Sequence, residues 1–109
     1  MDDLLNAYIY EIKKGTKLMA LITTDSAKTK RYVEKIKKNM LSSAVVPLGK
    51  KDNIFFGISE CVDIFRGFYK NDLSLLSAQE DFILGIMLGY NRVEQCKRYL
   101  NKINLCPVG

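Results

Sequence analysis

Residues 77–89 constrain this chain more than any other stretch, because they spell a helix with both ends marked and almost no polar face. Ser77-Ala78-Gln79-Glu80 has the pattern of a capping box. The Ser hydroxyl accepts from the backbone N–H of Glu80, and the Glu carboxylate reaches back to the Ser N–H. Gly89 is a natural exit, since it tolerates the left-handed backbone that closes a last helical turn. Between them, Phe82-Ile83-Leu84-Gly85-Ile86-Met87-Leu88 is apolar nearly all round. Such a helix is central in its fold or lies at a subunit contact.

A second helix follows at once. Asn91-Arg92-Val93-Glu94 repeats the capping pattern with Asn in place of Ser, and Val93, Cys96, Leu100 and Ile103 recur on one face, expected to point inward. Residues 104–109 read as a loose tail. The pair over 80–100 has the outline of a helix-turn-helix, with Arg92, Gln95, Lys97 and Arg98 on its second helix. The place that usually holds an apolar anchor holds Gln95, so an ordinary αα-hairpin is the simpler reading. Gly85 and Gly89 form a small-xxx-small spacing, whose plain meaning is close packing against the sheet or a neighbouring helix.

Upstream the pattern changes to alternation. Residues 6–14 read as a strand with Tyr8, Tyr10 and Ile12 on one face, Lys13-Lys14-Gly15-Thr16 as a turn, and residues 17–24 as the returning strand. That second strand is apolar on both faces, so it is covered on both sides. Asp25-Ser26 starts a helix that runs to about Asn39. Its apolar stripe is Ala27, Tyr32 or the Arg31 stem, Val33, Ile36 and Met40, and its lysines face water. Ser43–Leu48 and Ile54–Ile58 form a second hairpin about a turn at Lys50–Asn53, with Pro47 tolerable only at an edge. Ser59 caps a helix over about 60–70, with Cys61, Ile64, Phe65 and Phe68 buried, ending at Asn71-Asp72.

The expected fold is therefore α+β, in the order ββ-α-ββ-α-αα. Two hairpins form an antiparallel or mixed four-stranded sheet with helices on one face. Residues 1–109 are expected to form one domain. A sheet covered on one face, with a doubly apolar strand, has apolar surface to spare. A two-fold homodimer would bury it, with Met19, Leu21, Ile86 and Met87 as the candidate dimer surface.

Composition narrows the chemistry. The 109 residues include no His, which removes the usual general base and the commonest nitrogen metal ligand. Cys61, Cys96 and Cys106 are widely spaced and form no zinc motif. Two are expected to be buried thiols and one to lie near the tail. Cys61, in a first helical turn, is the candidate if any thiol is reactive. No catalytic residues, metal site or cofactor are expected. Glu80 and Asp81 are adjacent on a helix and point in different directions. Leu48-Gly49-Lys50-Lys51 lacks phosphate-loop spacing. The acidic start, Met1-Asp2-Asp3, has no signal-peptide order, and no apolar run reaches membrane-spanning length. The expectation is a cytoplasmic protein with no membrane partner.

Charge is unevenly spread. Residues 1–51 hold eleven Lys and Arg against five Asp and Glu, a net +6, and the rest of the chain carries −1, which gives the overall +5. Lys28, Lys30, Arg31, Lys35, Lys37 and Lys38 make the helix over 26–39 a basic face fit for an acidic partner. The alternative is nucleic acid, held through phosphates by this helix, with Tyr8, Tyr10 and Phe55 or Phe56 stacking on bases. A solvated helix face is the simpler account of such a charge run, and no RNA-binding signature is present.

Tyr8–Gly15, Pro47-Leu48-Gly49 followed by Asn53-Ile54-Phe55-Phe56-Gly57, and above all residues 80–90 with Gln95-Cys96 and Arg98-Tyr99-Leu100 give the chain a family likeness. It resembles a small bacterial family, the domain-of-unknown-function family numbered two thousand and twenty-three, over nearly its whole length. The resemblance implies an α+β homodimer with no established activity and no catalytic residues to carry over. It also implies an association with flavodoxin-like neighbours in anaerobic bacteria, for which the basic face is complementary in charge.

Overall fold

The computed structural model describes residues 3–68 and 73–103. In chain order its elements are α1 (Asp3–Lys14), β1 (Met19–Asp25), α2 (Ser26–Lys38), β2 (Ser42–Leu48), β3 (Lys51–Gly57), α3 (Ser59–Phe68), a 3₁₀ turn at Leu73–Leu75, α4 (Ala78–Met87) and α5 (Arg92–Ile103). The α+β character expected from the sequence holds. The sheet has three strands, not four, all antiparallel, in the order β1-β3-β2.

The missing strand is the segment over 6–14, which is helical. Leu5, Ile9 and Ile12 are its buried residues, spaced four and three apart as one helical stripe. The competing alternation fails because Tyr10 is exposed. Gly15 does take a positive φ, of 92°, but it closes a helix rather than a hairpin. Its N–H donates to the carbonyl of Ile12 at 3.1 Å, and the N–H of Thr16 donates to that of Glu11 at 3.0 Å, the two bonds of a Schellman cap.

Helices cover both faces of the sheet, which corrects the one-sided arrangement. On one face, Ala20 and Ile22 of β1 and Ile54 and Phe56 of β3 pack with Leu5, Ile9 and Ile12 of α1 and Tyr32 and Ile36 of α2. On the other, Met19, Val46 and Phe55 pack with Cys61, Val62 and Phe65 of α3 and Leu84 and Met87 of α4. Phe55 stacks on Phe65 with ring centroids 4.4 Å apart. The doubly apolar β1 is thus covered on both sides by this chain's own helices. Central β3 is apolar on both faces for the same reason. Gly57 is required at its end, because a Cβ there would lie 2.2 Å from the carbonyl oxygen of Leu18.

The second hairpin forms as expected, with Pro47 on edge strand β2 opposite Asp52. Its turn is Gly49-Lys50, tighter than the expected Lys50–Asn53, and Asp52 and Asn53 instead brace neighbouring elements. Thr29 of α2 donates to the Asp52 carboxylate, and Thr23 of β1 donates to the Asn53 side-chain oxygen, each at 2.6 Å. In α2 the buried residues are Tyr32 and Ile36. Ala27 and Met40, expected in its stripe, are exposed. In α3, Ile64 is likewise exposed, and Val62 takes its place in the core. Ser59 does not cap α3. The carbonyl of Ile58 accepts from the N–H groups of Cys61 and Val62, and the Ser59 hydroxyl donates to the carboxylate of Glu60. The expected helix end at Asn71-Asp72 and the tail 104–109 lie outside the described residues. Among the described residues, no helix is long and apolar enough to cross a membrane.

Candidate interaction surface

The helix that opened the sequence argument has both of its expected ends. The N–H of Glu80 donates to the Ser77 hydroxyl at 3.1 Å, and the N–H of Ser77 donates to the Glu80 carboxylate at 2.9 Å. Gly89, with φ of 82°, closes α4 through bonds from Gly89 to Ile86 and from Tyr90 to Gly85. One side of α4 enters the core through Leu84 and Met87. The opposite side carries α5.

Three contacts seat α5 on α4. Arg98 donates to both carboxylate oxygens of Asp81, at 2.7 and 3.3 Å, and Lys102 stands 4.0 Å from the same group. That hydrogen bond raises the pKa of the Arg98 guanidinium above its ordinary value. The rings of Phe82 and Tyr99 lie 5.5 Å apart. Gly85 allows the close approach between the helices. A Cβ there would fall 2.0 Å from the side-chain oxygen of Gln95. The small-xxx-small pair therefore works as a helix-packing notch, and Gln95 fills it. Arg98 and Gln95 are committed to this packing, which leaves the helix-turn-helix outline without two of its four reading residues.

The rest of α5 is uncovered. It is amphipathic in sequence, yet none of its residues is buried. Val93 is 62% exposed and Leu100 57%, and Cys96 and Ile103 are exposed too. The stripe expected to point inward points out. Together with Phe82 and Ile83 of α4 it borders a groove of about 550 Å³, lined also by Gln79, Cys96, Tyr99 and Leu100. This exposed apolar stripe lies on α5 and does not include the four residues expected at a dimer surface. Met19 is fully buried and Met87 nearly so. Leu21 packs against the same core, and Ile86 is half-buried. The exposed apolar stripe of α5 was readable in its spacing. Its direction was not, because a sequence cannot say whether a helix lies over a sheet or beyond it.

On the opposite face of the sheet, Lys28, Lys30, Arg31, Lys37 and Lys38 are exposed along α2 and Lys35 is half-buried. Arg31, Lys35 and Lys38 share a shallow depression of about 350 Å³ with Glu34. Lys13 of α1 donates to the carbonyl of Asn39 at 3.1 Å and so brings the basic ends of α1 and α2 together. The base-stacking idea loses most of its aromatics. Phe55 and Phe56 are buried, and Tyr8 is half-buried against Phe56, with ring centroids 6.4 Å apart.

The model of the family described as protein of unknown function (DUF2023) matches residues 3–102, from α1 through α5. The chain belongs to that family. The match spans the same three blocks that carry the likeness in the sequence. No curated protein matches this DUF2023 chain at a meaningful level.

Of the two thiols expected to be buried in this DUF2023 chain, Cys61 is buried and Cys96 is not. Cys61 is buried, and desolvation, reinforced by the charge of Glu60, pushes its thiol pKa up. A raised pKa disfavours the thiolate that reactivity needs. Cys96 is the exposed one, on the wall of the α4–α5 groove. Cys106 lies outside the described residues, and among the described residues no three His, Cys, Asp or Glu gather as a metal site.

Proposed function

We propose that this DUF2023 chain is a small cytoplasmic interaction or regulatory protein that works as a homodimer built on the α4–α5 hairpin. The observation that carries the reading is the exposed stripe of α5. A twelve-residue helix is marginal alone, and most helical stability in proteins comes from burying an apolar face. Here α5 buries none of its residues in its own chain, so a second body is needed to cover it. A second copy satisfies the requirement most simply. A two-fold axis sets the same stripe and groove against each other, the ridge of Leu100 facing the hollow beside Phe82. The basic α2 side lies across the sheet from this contact and stays open to an acidic partner. The family resemblance points to a flavodoxin-like redox protein as that partner, and charge complementarity supports it.

The test is thermal unfolding across a hundredfold dilution. A dimer melts at a temperature that rises with protein concentration, because association adds to stability by mass action. Leu100→Asp is expected to abolish that dependence and lower the melting temperature at high concentration. A wild-type melting temperature independent of concentration contradicts the reading. The exposed lysines also support a second reading, nucleic-acid binding through α2. A gel shift on duplex and single-stranded probes that weakens steeply with salt would favour it.

A further inference from the structure

Two helix C-termini meet at one pole of the α1–α2 layer. The α2 terminus is closed by Met40, the one non-glycine among the described residues with a positive φ, at 63°. Its N–H donates to the carbonyl of Lys37, and the N–H of Leu41 donates to that of Ile36. This is the same cap that Gly15 and Gly89 build, with a side chain where glycine is favoured. The left-handed conformation costs a non-glycine residue about 1–2 kcal/mol. The two cap hydrogen bonds offset part of that cost, but the Met40 side chain adds no burial, since it is 90% exposed. A left-handed backbone held at an exposed apolar residue, where glycine would serve the cap as well, is a pattern found at functional sites.

The surroundings are basic. Lys13 reaches across to Asn39, the residue before Met40, while Lys14 lies over the ring of Tyr10 on its own helix. Lys35, Lys37 and Lys38 occupy the last turn of α2. Helix dipoles account for part of this charge. Two C-termini carry about half a negative charge each, together one unit against the four lysines Lys13, Lys35, Lys37 and Lys38. Glu34 offsets one more at the edge of the depression it shares with Lys35 and Lys38. About two positive charges are left over at this pole.

We infer that Met40, with Lys13, Lys37 and Lys38 at the same pole, is the anchor of a docking surface for an acidic protein that offers a small apolar hollow among its carboxylates. An apolar centre with a charged rim is the anatomy of a protein–protein contact, and methionine is enriched at such centres. A nucleic acid would use the lysines and have no use for the methionine. The inference rests on the interaction-protein reading but not on the dimer, because the pole lies across the sheet from α4–α5.

Two labelled acidic peptides of equal charge test it by fluorescence anisotropy, one with a central Leu-Phe pair and the other with Ser-Ser. A single-stranded DNA of matching charge is the third probe. The Leu-Phe peptide is expected to bind about fivefold tighter than the Ser-Ser peptide, the scale of one modest apolar anchor. Met40→Gly should remove that preference while leaving the fold at least as stable, since glycine relieves the strain. Lys37→Glu with Lys38→Glu should weaken both peptides about tenfold and flatten the salt dependence. Leu100→Asp should leave all of this unchanged, which separates failure of the pole from failure of the dimer. The inference is overturned if neither peptide binds, if DNA binds more tightly than both, or if Met40→Gly keeps the preference.

Discussion

Gly57 and Gly67 show at the scale of single residues how differently one side chain is used. A methyl group at Gly57 meets the backbone of Leu18 and Met19, which cannot step aside. Gly57→Ala is therefore expected to cost roughly 3 kcal/mol, at the upper end for overpacking. A methyl at Gly67 in α3 meets nothing within 4 Å. Gly67→Ala should be neutral or stabilise by up to about 1 kcal/mol, because alanine holds a helix better. Urea denaturation of the two variants measures both. Cys61 gives a pH prediction. Its folded pKa is raised, so the unfolded chain loses this proton first as pH rises. Its effect on stability is nil below about pH 8, and stability then declines as pH climbs past the ordinary thiol value near 8.5. Replacing Cys61 with Ala should flatten that alkaline decline, read as the slope of unfolding free energy against pH. A native chain with as steep a decline after the replacement would place the cause elsewhere.

At the scale of elements, caps were legible where side chains make them and ambiguous where glycine does. Ser77 and Glu80 form their reciprocal bonds as the sequence indicates, and Ser77→Ala should cost about 1 kcal/mol. Ser59 looks like the same kind of residue but caps nothing, so Ser59→Ala should be within experimental error of wild type in the same thermal melt. The difference lies in the backbone, since Ile58 already supplies the accepting carbonyl for α3. Gly15 shows the ambiguity. A glycine at positive φ closes a hairpin and a helix equally well, and residues 6–14 fit both periods because Ile12 belongs to both. Tertiary packing decided for the helix, which gives β1 and α2 a covering stripe. With that strand gone, β1 pairs with β3, a long-range choice that no local signal announces. The apolar pattern of β1 was read correctly as covered on both sides. What the sequence could not tell was that α3 and α4 supply the second cover.

At the scale of the whole molecule, that double cover leaves α5 as the element without a core. Its apolar spacing was plain, and the hydrophobic set at 93, 96, 100 and 103 was placed on one face. The outward direction follows only from the fold, in which α3 and α4 already fill the second face of the sheet before α5 begins. Gly85 and the Asp81–Arg98 pair then hold α5 on the far side of α4, out of reach of the sheet. A variant that lifts α5 away should undo the dimer without unfolding the sheet. Gly85→Val, which forces the Gln95 side chain out of the notch, combined with Asp81→Lys, which sets a like charge against Arg98 and Lys102, is expected to do so. Far-ultraviolet circular dichroism would stay close to wild type while the molar mass falls to that of one chain.

The central claim is that α5 is covered by a second copy, and light scattering coupled to size exclusion measures it directly. The account predicts a molar mass of two chains at micromolar concentration, falling to one chain in Leu100→Asp. A wild-type protein that elutes as a single chain at every concentration, with Val93 and Leu100 still in water, would contradict it.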